Sequence, residues 1–214
     1  MSAQQLAIAD AAISVIVSEG FDVVSVRTVA TRAGVAPGTV QYYMGTRERL
    51  LIAALERSCA RQHERVRALS GASTPFEQLV GALKELLPVG QLQREDAALW
   101  VVMGAAASTR DSIAEVYRRE LELFQQKLRD GLSATAAEPD AGIEMSEVPQ
   151  TARLITALVN GLTLDYLNAP ASVEQADAII ADLRAGLQRI LNTTSLSAAG
   201  GPSERNLSEQ SPSD

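Results

Sequence analysis

The chain is short of the residues that build most site chemistries. Its 214 residues include one cysteine, Cys59, one histidine, His63, and one tryptophan, Trp100. A single cysteine excludes an intramolecular disulfide framework and a cysteine-rich zinc module. Cys59 and His63 stand four apart on one helical stretch, but two ligands do not make a structural zinc site and no second histidine exists. No metal and no cofactor is expected. No phosphate-binding glycine loop, nucleophile elbow or pair of catalytic carboxylates is recognisable. The charge-free run 97–109 falls short of the roughly 20 residues a membrane span needs. No lysine or arginine precedes Arg27, and Asp10 interrupts the first apolar stretch, so no secretory signal is read. The expectation is a cytoplasmic protein without a membrane partner.

What is present favours helix. Alanine supplies 34 residues, and arginine outnumbers lysine 17 to 2. Alanine, leucine, glutamate, glutamine and arginine are all good helix formers, so the fold class expected is all-α. The net charge of −7 looks wrong for a nucleic-acid binder, but it is unevenly spread. Residues 1–69 hold eight arginines against six acidic residues, whereas the remainder holds eleven basic and twenty acidic residues. An acidic body with a mildly basic head suits a protein that offers only its head to phosphate.

Punctuation divides the chain into nine helical stretches. Gly20 ends the first, Ser25 caps a short second over Val26–Ala33, and Gly34 stops it. Pro37 opens a third, Pro37–Met44, and Thr46 caps a long fourth towards residue 69. Thr74-Pro75-Phe76-Glu77 reads as a capping box for a fifth helix towards residue 87. A sixth helix is read over 93–108, a seventh over 112–133, a loop over 136–148 and an eighth over 149–168. Ser172-Val173-Glu174-Gln175 reads as another capping box, with a ninth helix to about 192. Residues 193–214 lack apolar periodicity and read as a disordered tail.

The second and third helices form the sharpest feature. Val29, Ala30, Val40 and Met44 are spaced to bury against the first helix. With Val40 inwards, Gly38, Thr39 and Tyr42 point outwards and Gln41 and Tyr43 lie on the flanks. A short helix offering small and polar side chains near its N-terminus fits a major groove. Arg27 and Arg47 flank it as candidate phosphate contacts. The alternative is a tight helical corner in an ordinary bundle.

The stretch Glu19-Gly20-Phe21, Ser25-Val26-Arg27-Thr28-Val29-Ala30, Ala33-Gly34-Val35-Ala36-Pro37-Gly38-Thr39-Val40, Tyr43 and Arg47-Glu48-Arg49-Leu50-Leu51 resembles the TetR family of bacterial repressors. The resemblance covers about 50 residues. It implies a three-helix DNA-binding domain, a larger helical ligand-binding domain, and a homodimer on a palindromic operator. The organisation expected is a DNA-binding domain over 1–48, a ligand-binding and dimerisation domain over 49–192, and the tail. Ser25, Arg27, Thr28, Pro37, Gly38, Thr39, Gln41, Tyr42, Tyr43 and Arg47 form the candidate DNA-contacting set. Three positions depart from the family's usual pattern: Gln41 for Tyr, Met44 for Phe and Arg47 for Lys. Gln41 matters most, because an amide can pair with adenine.

Leu86-Leu87-Pro88, Arg94, Trp100 and Leu158-Val159-Asn160-Gly161-Leu162 resemble, more weakly, the C-terminal domain of the BetI-type branch. The eighth helix is apolar on two faces, and the ninth repeats apolar residues along its length. Two apolar faces need two burial partners, and one can be a second subunit. Leu158, Leu162, Ile180, Leu183 and Leu187 are the candidate seam. Small residues in the sixth helix, Ala106 among them, leave room for a ligand. Trp100, Met103, Asn160, Asp165 and Tyr166 are its candidate lining, and the effector is expected to be largely apolar. The competing readings are a small helical enzyme working with Asp, Glu, Tyr and Arg alone, and a helical scaffold acting through its acidic surface. Gln41→Ala is expected to relax base preference at one position of each half-site, costing roughly 1–3 kcal/mol there. Equal losses over a panel of operator variants would refute base reading by Gln41.

Overall fold

A computed structural model describes residues 1–71, 74–136 and 143–199. Among them are nine α-helices: α1 Ala3–Glu19, α2 Val26–Ala33, α3 Pro37–Met44, α4 Arg47–Ala68, α5 Pro75–Lys84, α6 Gln91–Ala107, α7 Asp111–Ala136, α8 Val148–Leu167 and α9 Val173–Ala199. The all-α expectation is borne out.

Local chemistry sets most helix ends. The Ser25 hydroxyl accepts from the Thr28 amide, and the Thr28 hydroxyl accepts from the Ser25 amide at 2.9 Å, closing a reciprocal cap on α2. Gly34 ends α2 at φ +67°, a left-handed conformation that a side chain would strain. The cap at Thr74 is only half of the expected box. Its hydroxyl accepts from the Glu77 amide, but the Glu77 carboxylate reaches away to take both terminal nitrogens of Arg184 at 2.7 Å. That bidentate pair ties α5 to α9, and the Arg184 guanidinium holds the Glu77 pKa below its ordinary value.

Three boundaries differ from the sequence reading. α5 stops at Lys84, α7 continues to Ala136, and α9 runs on to Ala199 through residues read as tail. The stretch 193–199 is poor in bulky apolar side chains, so an amphipathic pattern could not reveal it. Residues 200–214 of the expected tail lie outside the described residues.

Two apolar clusters organise the packing. One gathers α1, α2 and α3 with Leu50, Leu51 and Leu55 of α4, then continues into Leu99, Met103 and Ala106 of α6 and Ile113 of α7. The other joins α5, the end of α7, α8 and α9 around Leu87, Ile155, Leu183 and Leu187. Apolar packing therefore continues past residue 48 from the head into the body. Arg94 on α6 donates to the carbonyls of Leu167 (2.6 Å) and Ala169 (2.8 Å), satisfying the open C-terminal end of α8.

Between the clusters lies a buried ionic knot. Asp96 is 1% exposed and accepts from Ser58 at 2.7 Å, Arg61 Nε at 3.1 Å and Arg65 at 2.8 Å. Arg61 also approaches Asp10 of α1 at 3.6 Å, and Arg65 donates to Glu85 at 3.1 Å. Removing one partner of such a group leaves uncompensated charge in a poorly solvated place. Asp96→Ala is expected to lower the unfolding free energy by about 3–5 kcal/mol. Urea unfolding followed by circular dichroism measures it, and a loss within the scatter of ordinary surface variants would refute the role.

Candidate nucleic-acid interface and interior cavity

The hydrophobic pattern of α2 and α3 fixes which residues face outwards. Val29, Ala30 and Val40 are fully buried and Met44 nearly so, which turns the other side of α3 to solvent. Tyr42 is 81% exposed, and Pro37, Gly38 and Gln41 are exposed too. An added Cβ at Gly38 would meet nothing within 4 Å, so the start of α3 presents bare backbone to an incoming partner. Tyr43 and Thr39 are half-buried, and the Tyr42 and Tyr43 rings meet edge to face at 5.0 Å. No acidic side chain lies on α3.

The remaining members of the candidate set divide by what their polar groups already do. Ser25 and Thr28 spend their hydroxyls on the α2 cap, and Thr28 also donates to the Val23 carbonyl at 2.9 Å. Arg27 is exposed and pairs with no group among the described residues. Arg47 does not stand free as the sequence reading has it. Its Nε donates to the Val24 carbonyl at 2.9 Å and its Nη2 to the Phe21 carbonyl at 2.8 Å, with the guanidinium over the Phe21 ring at 5.0 Å. It clamps the turn that feeds α2. Arg49, an exposed residue absent from the candidate set, is a freer cation at the same helix end.

The second feature is a cavity of about 740 Å3 lined by α4, α5, α6, α7 and α8, with contributions from Ile143 and from Leu191 of α9. Trp100 and Asn160 line it, as the sequence reading has them. Met103, Asp165 and Tyr166 do not. Met103 is fully buried in the head-side core, Asp165 is exposed, and the Tyr166 hydroxyl donates to Asp182 of α9 at 2.7 Å. That carboxylate raises the Tyr166 pKa. Ala106 is likewise absent from the lining and packs in the head-side core, because the cavity borders α6 at Ala97 and Trp100, not along its small-residue half.

Sequence reasoning missed most of the wall. Phe76, Leu79 and Leu83 of α5 and Glu120, Phe124, Lys127 and Leu128 of α7 line the cavity, as do Cys59, His63 and Arg67 of α4. The α7 set recurs at three- and four-residue steps, a helical stripe legible in sequence but indistinguishable there from an ordinary packing face. Cys59 and His63 both line this wall; among the described residues no group of three or more metal-ligating side chains forms. Burial pushes the Cys59 thiol far up, so it packs as an apolar group. Burial, then the charge of Lys127 and that of Arg67, lowers the His63 pKa against an opposing pull from Glu120.

A short exposed helix set by a tight turn on a basic head defines a helix-turn-helix DNA-binding protein. Residues 8–54 match the family model for bacterial regulatory proteins of the tetR family, and residues 75–192 match that for the C-terminal domain of BetI-type transcriptional repressors. The chain belongs to the TetR family and carries a BetI-type C-terminal domain. The HTH-type transcriptional regulator BetI of Rhizobium meliloti is 28% identical over 183 residues, covering 82% of this chain and 85% of the relative. BetI of Brucella canis is 25% identical over 172 residues, covering 79% and 83%. A transcriptional regulator from Rhodococcus sp. Rha1 is similar at a TM-score of 0.77 and 27% identity, covering 90% of this chain and 97% of that one. A regulator from Saccharomonospora viridis, solved in complex with choline, shares the fold at a TM-score of 0.69 and 21% identity, over 86% and 95% of the chains.

The protein is thus a DNA-binding transcriptional repressor, not an enzyme, and the family implies operator DNA and a small-molecule effector as its partners. The enzyme and scaffold alternatives fall with that membership. No helix among the described residues is long and apolar enough to cross a membrane. Arg47→Ala is expected to lower stability by about 1–3 kcal/mol, since two carbonyls lose charged donors. Arg27→Ala should stay within about 0.5 kcal/mol in stability while lowering the salt slope of DNA binding by about one. Denaturant unfolding beside salt-dependent binding separates the two roles; an Arg47→Ala variant of unchanged stability would overturn the clamp.

Proposed function

We propose that the protein binds an inverted-repeat operator as a homodimer and releases it when a small molecule fills the cavity. The observation that carries this reading is the exposed, acid-free face of α3 on an otherwise acidic chain. One copy of so short a helix reads few base pairs, so two copies related by a twofold axis, about 34–36 Å apart, are needed for a specific site. In this reading Gly38, Thr39, Gln41 and Tyr42 meet bases, and Arg27, with the α3 N-terminus, meets phosphates.

In this reading the seam uses other residues of the same two helices than the sequence suggests. Leu183 and Leu187 are fully buried within one protomer and leave no surface for a second. Leu158, Leu162 and Ile180 are half-buried at the edge of the same core. Leu154 (47% exposed) and Leu164 (51% exposed) form, with exposed Ala157 and Gly161, an apolar stripe along α8 at three- and four-residue steps. Ala178 and Ala181 give α9 a matching small-residue stripe. Two such helices from each copy pack into an isologous four-helix seam.

Transmission runs through α4. Its first turns belong to the head core, and Arg57 and Arg61 hold it to Asp10 of α1. Its later turns present His63, Val66 and Arg67 to the cavity. A ligand that favours one setting of α4 changes the spacing of the two recognition helices. A coupling of about 1–3 kcal/mol weakens operator binding roughly 5- to 150-fold. Leu154→Glu with Leu164→Glu is expected to give a monomer by sedimentation and to abolish tight operator binding. The dimer reading is falsified if that monomer keeps full operator affinity.

A further inference from the structure

We infer that the cavity takes an amphipathic anion, a molecule with an apolar body and one carboxylate or comparable head, met by Arg67 and Lys127. This rests on the reading of the cavity as the effector site and goes beyond it by naming the ligand's chemistry. The wall is mainly apolar, with Phe76, Leu79, Leu83, Phe124, Leu128 and Val159 among its members. A volume of about 740 Å3 suits a drug-sized molecule.

Charge decides the head group. Three side chains of full charge line the cavity: Arg67, Lys127 and Glu120. Glu120 is already answered, because its Oε1 accepts from Arg119 Nε at 3.2 Å and Nη2 at 3.0 Å. Arg67 and Lys127 are exposed and form no ion pair among the described residues. Both act on the same imidazole, since the charges of Lys127 and Arg67 push the His63 pKa down against an opposing pull from Glu120. Among the described residues the site therefore holds two unanswered cations and no unanswered anion. A carboxylate gains charge-assisted hydrogen bonds there, whereas a quaternary ammonium meets repulsion.

The aromatic groups agree. A cation box needs free ring faces turned to the ligand. One face of Trp100 is covered by Tyr117, stacked at 4.3 Å between centroids and 29° between planes. A molecule as small as choline would also leave much of the cavity unfilled, forfeiting contact with its walls.

Trp100 is the chain's sole tryptophan and lines the cavity, so its fluorescence reports occupancy directly. The full chain is titrated, below micellar concentrations, with dodecanoate, dodecanol, dodecyltrimethylammonium and choline. Dodecanoate is expected to bind tightest, with saturable one-to-one stoichiometry. Arg67→Met and Lys127→Met should each weaken dodecanoate by about 5-fold, as partly exposed charges do, and leave dodecanol within about 2-fold. Equal or tighter binding of either cation overturns the inference. So does dodecanoate binding no tighter than dodecanol and indifferent to both substitutions, although the cavity then stands as a site for neutral molecules. If no probe changes the fluorescence or the melting temperature, the effector-site reading itself falls and the inference with it.

Discussion

A carboxylate sealed from water sets the geometry of the body. Asp96 sits on α6 with donors arriving from Ser58, Arg61 and Arg65, residues spaced three and four apart and so on one face of α4. An ionised group in such a place is tolerable only when it is paired and fully hydrogen-bonded. Meeting that demand fixes the rotation of α4 about its axis. Once residues 58, 61 and 65 face α6, residues 59, 63, 66 and 67 have to face α5 and α7, and there the cavity opens. The same arginines reach Asp10 on α1 and Glu85 beyond α5, so one knot ties the head, the cavity wall and the end of α5 together.

That arrangement divides labour along a single helix. The first half of α4 contributes Leu50, Leu51 and Leu55 to the core that supports α2 and α3. The second half contributes His63, Val66 and Arg67 to the cavity wall. Nothing soft intervenes between them, since α4 runs unbroken from Arg47 to Ala68. The head is tuned separately by short-range chemistry. The Ser25–Thr28 cap, the Gly34 turn and the Arg47 clamp hold α2 and α3 at a fixed angle, and α3 then carries a face almost free of charge. Groove recognition by such a face relies on shape and hydrogen bonding, while phosphate attraction comes from arginines around it.

Much of the head was legible in the sequence because its signals are local. Ser25, Gly34 and Pro37 act on their immediate neighbours, and α2 and α3 begin and end where those residues place them. Val29, Ala30, Val40 and Met44 bury as their spacing requires. The body was legible as helices but not as surfaces. Leu183 and Leu187 read as seam from the sequence, yet the packing of α9 on α8 and α5 buries both in the core. Periodicity states that a face is covered without stating by what.

The sequence by itself determined the helices, the turn between α2 and α3, and the asymmetry of charge, all of which follow from residues within a few positions of one another. Tertiary structure alone decided what each polar group is free to do. Arg47 reads from sequence only as a phosphate contact, and its donors meet carbonyls more than twenty positions back, at Phe21 and Val24. Glu77 looks like a capping carboxylate until Arg184 arrives from α9. The cavity collects its wall from six helices, so no window of sequence contains it. Hydrogen bonds and cavities depend on distances in space, and those are set only when α4 turns to satisfy Asp96.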